Sequence, residues 1–159
     1  MSIQEGDSLP SGTLRQFDDG IQATSTEDLF GQGKSVVFAV PGAFTPTCND
    51  THLPGFLVNA DTIKAKGVDR IVCIAVNDPF VMAAWARSLN TDGHLDLYSD
   101  GNGEYAETLG LTLDLSVAGL GTRSARFAMI VEDGVVRYLG VEPGKDVTVS
   151  GVDAVLERL

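Results

Sequence analysis

Six residues, Ser35-Val36-Val37-Phe38-Ala39-Val40, form a continuous run of strand length that Pro41-Gly42 stops. An apolar run without alternation is what a strand buried on both faces requires. A second run of the same kind, RIVCIAV at 70–76, follows a helical pattern over 47–66. Strand, helix and strand in succession imply parallel pairing through a crossover, and hence a layered α/β sheet with helices on both faces. Pro54 interrupts the helical stretch and is expected to kink or split it.

The remaining elements extend this frame. Asp78 caps a further helix with Pro79 at its first position, and Phe80, Val81, Ala84 and Trp85 recur at helical spacing. Trp85 reads as a core or interface residue. Residues 95–98 make a third strand and 103–109 a short helix. An irregular stretch through Gly119-Leu120-Gly121 leads to a strand beginning at Arg126 (126–131), which turns at Asp133-Gly134 into 135–139, the clearest hairpin in the sequence. Residues 150–159 close the chain as an amphipathic helix with Val152, Val155, Leu156 and Leu159 inward. Ahead of the first buried strand, 13–17 and 21–24 flank Asp18-Asp19-Gly20, an antiparallel ribbon whose turn uses glycine's tolerance of positive φ. A short helix at 25–30 follows, with Ser25 as its N-cap. The order β-α-β-α-β, then a hairpin and a terminal helix, resembles the thioredoxin fold: a mixed central sheet, helices on both faces and an N-terminal β-hairpin addition. The 159 residues fit a single domain over 1–159.

Charge narrows the partners. A net charge of −11 disfavours nucleic acid, which calls for a basic face, and disfavours anionic lipid. No apolar run approaches the ~20 residues that span a bilayer, and the first residues lack the basic and apolar regions of a secretory signal. With only two cysteines, Cys48 and Cys73, the chain is no disulfide framework, and a cytoplasmic location is expected.

Cys48 stands where the chain leaves the first buried strand and enters a helix. Unpaired N–H groups and the helix dipole both stabilise a thiolate at such a place. The segment reads Thr45-Pro46-Thr47-Cys48, with a hydroxyl where a dithiol oxidoreductase carries its first thiol. Dithiol exchange within the motif is therefore excluded. Thiolate attack on an O–O bond, with the threonine hydroxyl accepting or donating a proton beside the sulfur, suits the pattern. His52, four residues on, shares a helical face with Cys48. Metal sites need three or four ligands, and neither His94 nor Cys73 has ligand spacing to His52, so no metal is expected and His52 is expected to be a structural hydrogen-bonder. Gly101-Asn102-Gly103-Glu104-Tyr105-Ala106 matches a dinucleotide fingerprint, but it does not follow the first strand of its unit, and Asp100 and Glu104 would repel a pyrophosphate. It reads as a loop, and no cofactor is expected.

The segment Pro41-Gly42-Ala43-Phe44-Thr45-Pro46-Thr47-Cys48, followed by Thr51-His52-Leu53-Pro54-Gly55-Phe56, resembles the type II (atypical, peroxiredoxin-five-like) peroxiredoxins. The likeness continues through Val76-Asn77-Asp78-Pro79-Phe80-Val81 and Arg123-Ser124-Ala125-Arg126-Phe127-Ala128-Met129, and covers nearly the whole chain. It implies a thiol peroxidase that reduces hydrogen peroxide and organic hydroperoxides. Cys48 would be the peroxidatic cysteine, Thr45 the residue orienting the peroxide, Pro41 the shield of the sulfenate and Arg126 the active-site arginine, with Arg123 as the alternative arginine. It also implies a homodimer formed beside the active site, near Phe44, residues 79–85 and residues 119–121. The alternatives to an enzyme are a non-enzymatic redox sensor oxidised at Cys48 and a thioredoxin-like interaction module.

Some relatives of this type carry a resolving cysteine in the C-terminal region, where this chain reads Asp146-Val147-Thr148-Val149-Ser150. Cys73 is the possible resolving residue, yet it lies inside the apolar run 70–76 and reads as a buried core residue. The expected cycle therefore uses one cysteine, reset by an external thiol: glutathione with glutaredoxin, or thioredoxin.

Overall fold

The computed structural model describes residues 2–159. A seven-stranded sheet forms its centre. Its strands are β1 (Thr13–Phe17), β2 (Ile21–Ser25), β3 (Lys34–Val40), β4 (Arg70–Ala75), β5 (Asp96–Ser99), β8 (Phe127–Glu132) and β9 (Val135–Val141), with β6 (Thr112–Asp114) and β7 (Thr122–Ser124) pairing separately. The spatial order is β2-β1-β5-β4-β3-β8-β9. The middle strands β3, β4 and β5 run parallel, β8 and β9 add antiparallel strands beside β3, and the β1–β2 hairpin caps the opposite edge. This is the mixed, thioredoxin-like sheet that the element order implies.

Strand alternation divides the core between the two faces. Val36, Phe38 and Val40 of β3 face a cluster holding Cys48, Leu53, Phe56, Cys73, Trp85 and Val155. Val37 and Ala39 face the other cluster, with Leu14, Phe30, Tyr105 and Met129. The first face is covered by α2 (Leu53–Val58), α3 (Ala60–Lys64), α4 (Pro79–Leu89) and α6 (Val152–Arg158), the second by α1 (Thr26–Phe30) and α5 (Glu104–Leu109). Local signals hold these helices where the sequence places them. The Ser25 side chain accepts from the Asp28 N–H, and the Asp78 carboxylate from the Val81 N–H at 2.9 Å.

The structure refines the expected elements at several points. At Pro54 the helical stretch after Cys48 changes register rather than running on as one α-helix. A π-helical turn, Cys48–His52, precedes α2, and the Leu53 N–H reaches back five residues to the Cys48 carbonyl. That register leaves Pro54 in the first turn of α2, where a missing N–H costs little. A second break, which the sequence does not signal, falls at Asn59 between α2 and α3. The stretch before Arg126 is less irregular than expected, because β6 and β7 form a small antiparallel pair around a 3-10 turn, Ser116–Ala118. Arg126 stands immediately before β8 rather than on it. The inward face of α6 is as expected, with Val155 fully buried and Val152, Leu156 and Leu159 half-buried against the core.

Candidate active site

The first buried strand ends at Val40, and a tight turn carries the chain from the sheet into the helix bearing Cys48. Local bonds set the turn. The Thr45 hydroxyl donates to the Gly42 carbonyl at 2.6 Å, the Asn49 N–H donates to the Thr45 carbonyl at 2.8 Å, and the Ala43 N–H donates to Asn77 Oδ1 at 2.9 Å. Gly42 sits in a close approach: a Cβ there would stand 3.0 Å from Thr45 Cγ2 and 3.1 Å from Arg123 Nη1, so both side chains would have to shift slightly. Phe44 is held at φ 65°, a conformation rare for a residue with a side chain, and the residue is half exposed.

Cys48 lies in the first turns of the helix, at the start of the π-turn, with no exposed surface. Its sulfur accepts from Arg126 Nη2 at 3.2 Å, while Nη1 of the same guanidinium meets His52 Nδ1 at 2.9 Å. Arg126 is 8% exposed, so this fork contact forms away from bulk water, where an aimed donor is worth most. The other ring nitrogen of His52, Nε2, lies 2.8 Å from the Ser150 carbonyl. A carbonyl can only accept, so Nε2 carries the proton and Nδ1 is the acceptor facing arginine. Burial pushes His52 down to about 4, against the pull of the Ser150 carbonyl, and the Arg126 charge pushes the same way as burial. His52 is therefore neutral around pH 7 and holds the guanidinium toward the sulfur.

Arg123 takes a different position. Its Nε donates to the Leu120 carbonyl at 2.8 Å and its Nη1 to the Pro41 carbonyl at 3.2 Å, which ties the β6–β7 loop to the turn before Cys48. Of the two arginines, the one on the sulfur is Arg126. Pro41 is half-buried, and its carbonyl belongs to the Arg123 contact. Thr45 is half-buried with its proton directed to Gly42, so its oxygen lone pairs remain able to accept.

Cys73 pairs in register with Phe38 of β3 and faces the core cluster that includes Cys48. Both cysteines are free thiols. Burial pushes the Cys73 thiol well above its ordinary range, and the neighbouring Cys48 adds to the rise while Arg126 opposes it. The glycine-rich segment 101–106 is closed to phosphate, because the Asp100 carboxylate takes the Tyr105 and Ala106 N–H groups at 3.1 and 2.8 Å. Among the described residues no cluster of three or more His, Cys, Asp or Glu side chains is placed to hold a metal. No described helix is long and apolar enough to cross a membrane.

Sequence reasoning missed the parts of the site that come from far along the chain. Ser150 reaches His52 across 98 residues, and Asn49 accepts from Trp85 Nε1 at 2.8 Å across 36. Neither pairing leaves a local signal.

A buried thiol met by a guanidinium at the head of a helix, on a thioredoxin-like sheet, defines a thiol-based redox enzyme. The Redoxin family model matches residues 4–156. The chain is 47% identical to Peroxiredoxin-2B of Arabidopsis thaliana over 99% of this chain and 98% of the relative. It is 48% identical to Peroxiredoxin-2C of Oryza sativa subsp. japonica with the same two coverages. The crystal structure of reduced Prx3 from Vibrio vulnificus in complex with hydrogen peroxide superposes with a TM-score of 0.93 at 44% identity, covering 98% of each chain. The chain belongs to the Redoxin family, among its type II peroxiredoxins, and its activity is that of a thiol-dependent peroxidase.

Proposed function

We propose that Cys48 is the attacking residue, and that residues 1–159 act as a single peroxiredoxin domain in the cytoplasm. The observation that carries this reading is the Arg126 guanidinium, 3.2 Å from the Cys48 sulfur and held there by His52. The Cys48 thiolate attacks the terminal oxygen of a hydroperoxide. An S–O bond forms, the O–O bond breaks, and the departing oxygen takes up a proton and leaves as water or an alcohol. Arg126 stabilises charge moving from sulfur to the leaving oxygen. Thr45 accepts from the peroxide O–H, and Pro41 limits water at the sulfenate. Peroxide as substrate agrees with the hydrogen peroxide bound in the Vibrio vulnificus relative. Cys48 has no exposed surface, so groups around it must move for a hydroperoxide to reach the sulfur.

The sulfenic acid is then captured by an external thiol, with release of water and formation of a mixed disulfide. A second thiol releases Cys48 and leaves as the oxidised reductant. Cys73 is a poor internal resolver, since it is locked in the sheet and burial keeps it protonated. Glutathione with glutaredoxin, or thioredoxin, fills the role of reductant. A homodimer forms on the face carrying Phe44 and Phe80, about half exposed, together with the loop bearing fully exposed Val117.

Peroxide consumption measured in parallel with glutathione–glutaredoxin and thioredoxin systems tests this reading. Turnover should be lost in Cys48→Ser and kept in Cys73→Ser. A Cys48→Ser protein consuming peroxide at the wild-type rate overturns it. Light scattering that shows a monomer at working concentration overturns the dimer.

A further inference from the structure

We infer that Glu142 is a positioning residue for Cys48 oxidation, acting through the C-terminal turn and His52 on Arg126. This rests on the reading of Cys48 and Arg126 above and extends it to a residue outside the reaction centre.

Glu142 directly follows β9, and Arg126 directly precedes β8. The hairpin register, Phe127 opposite Val141, sets these two residues across from each other, and the Glu142 N–H donates to the Arg126 carbonyl at 2.9 Å. From there the Glu142 carboxylate gathers the turn ahead of α6. Oε1 accepts from the Thr148 hydroxyl at 2.6 Å. Oε2 accepts from the Thr148 N–H at 2.6 Å, the Ser150 N–H at 2.8 Å and the Ser150 hydroxyl at 2.6 Å.

Four donors on one carboxylate fix the position of Ser150, which is fully buried. The Ser150 carbonyl in turn takes the Nε2 proton of His52, which leaves Nδ1 to accept from Arg126 and turns Nη2 to the sulfur. The bonds close a ring. Glu142 holds the Arg126 backbone directly and, through Ser150 and His52, its guanidinium. A side chain gripped at both ends has little freedom to leave the geometry that attack requires, and misplacement by even an ångström is costly in rate. Those bonds hold the Glu142 carboxyl below its usual range although its burial acts the other way, so the acceptor is ionised around pH 7.

The test compares Glu142→Ala and Glu142→Gln with wild type in single-turnover oxidation by hydrogen peroxide. It is read beside 15N shifts of the His52 ring and melting temperature. The alanine variant should oxidise slower by about tenfold at a temperature where it is fully folded, a part of the roughly 10²-fold that a full ångström of misplacement can cost. Its His52 nitrogens should lose the distinct protonated Nε2 and unprotonated Nδ1 signals. Glutamine can turn its oxygen to the three donors that Oε2 now serves, while the Thr148 hydroxyl accepts from its NH2. It should therefore recover most of the rate and the tautomer signature. A purely structural role predicts lower melting temperatures with unchanged oxidation rate and unchanged His52 shifts, and that result overturns the inference. Equal losses in the alanine and glutamine variants also overturn it, because they would point to the charge rather than the acceptor. Arg126→Ala in parallel separates the two claims. If it oxidises at the wild-type rate, the underlying reading fails; if it is slow and Glu142→Ala is fast, only the role of Glu142 fails.

Discussion

Replacing Arg126 with alanine removes two contacts at once: the donor 3.2 Å from Cys48 Sγ and the donor 2.9 Å from His52 Nδ1. The first matters to rate. A single aimed donor at a centre where charge develops is worth ~2.7–4 kcal/mol, or about 10²–10³-fold. The figure applies with little screening, since Arg126 is 8% exposed and Cys48 has no exposed surface. The second matters to stability, because a buried ring nitrogen left without a donor costs ~1–3 kcal/mol unless water fills the gap. Trp85 supplies the assay. It is the only tryptophan, fully buried, and its indole is bonded to Asn49, the neighbour of Cys48. Stopped-flow fluorescence after mixing reduced protein with hydrogen peroxide should therefore follow oxidation at Cys48. Arg126→Ala should react about a hundredfold slower than wild type. Arg126→Lys should recover only part of the loss, because an ammonium cannot make both arms of the fork. An alanine variant within about threefold of wild type, with an unchanged circular dichroism spectrum, would refute the reasoning, since threefold is under 1 kcal/mol in the barrier.

Four further outcomes follow from the same contacts. His52 is lowered from 6.5 to about 4, so the unfolded chain binds its proton first on acidification. Its contribution is complete above about pH 6.5 and is lost as pH falls toward 4, amounting to roughly 3 kcal/mol, to be read from urea unfolding across that window. Asn49→Ala leaves the buried Trp85 N–H without its acceptor and should lower unfolding free energy by ~1–3 kcal/mol in a denaturant titration. Gly140→Ala places a Cβ against the Val149 carbonyl and the Tyr138 hydroxyl, and should cost ~1–3 kcal/mol, seen as a lower melting temperature. Cys73, fully buried and raised by burial, should resist iodoacetamide in the native protein and react only after denaturation, as peptide mass mapping will show.

The central sheet was legible because its signals are local. The runs at 35–40 and 70–76 are apolar without alternation, and both lie at the middle of the sheet as β3 and β4. Caps at Ser25 and Asp78 were readable because a cap is written within four residues of sequence. The π-turn at Cys48–His52 was not readable. Pro54 signals an interruption but not its form, a wider turn in which the Leu53 N–H bonds the Cys48 carbonyl. The β6–β7 pair was missed because its residues are largely exposed and lack the alternation of a half-buried strand. At the site, the helix-head position of Cys48 could be read from strand, turn and helix in order. The closure of Glu142, Ser150 and His52 on Arg126 depends on the β8–β9 register and the return of α6, which no short window of sequence contains.

The most direct test of the account is intact and peptide mass spectrometry of the reduced protein after one equivalent of hydrogen peroxide, with no thiol present and a sulfenate trap added. If Cys48 attacks and no internal thiol resolves it, the trap will be found on Cys48, with Cys73 recovered as a free thiol. A quantitative Cys48–Cys73 disulfide within one chain, seen as the loss of two hydrogens and no trapped oxygen, would contradict the one-cysteine cycle. A trap found on Cys73 with Cys48 untouched would contradict the choice of nucleophile itself.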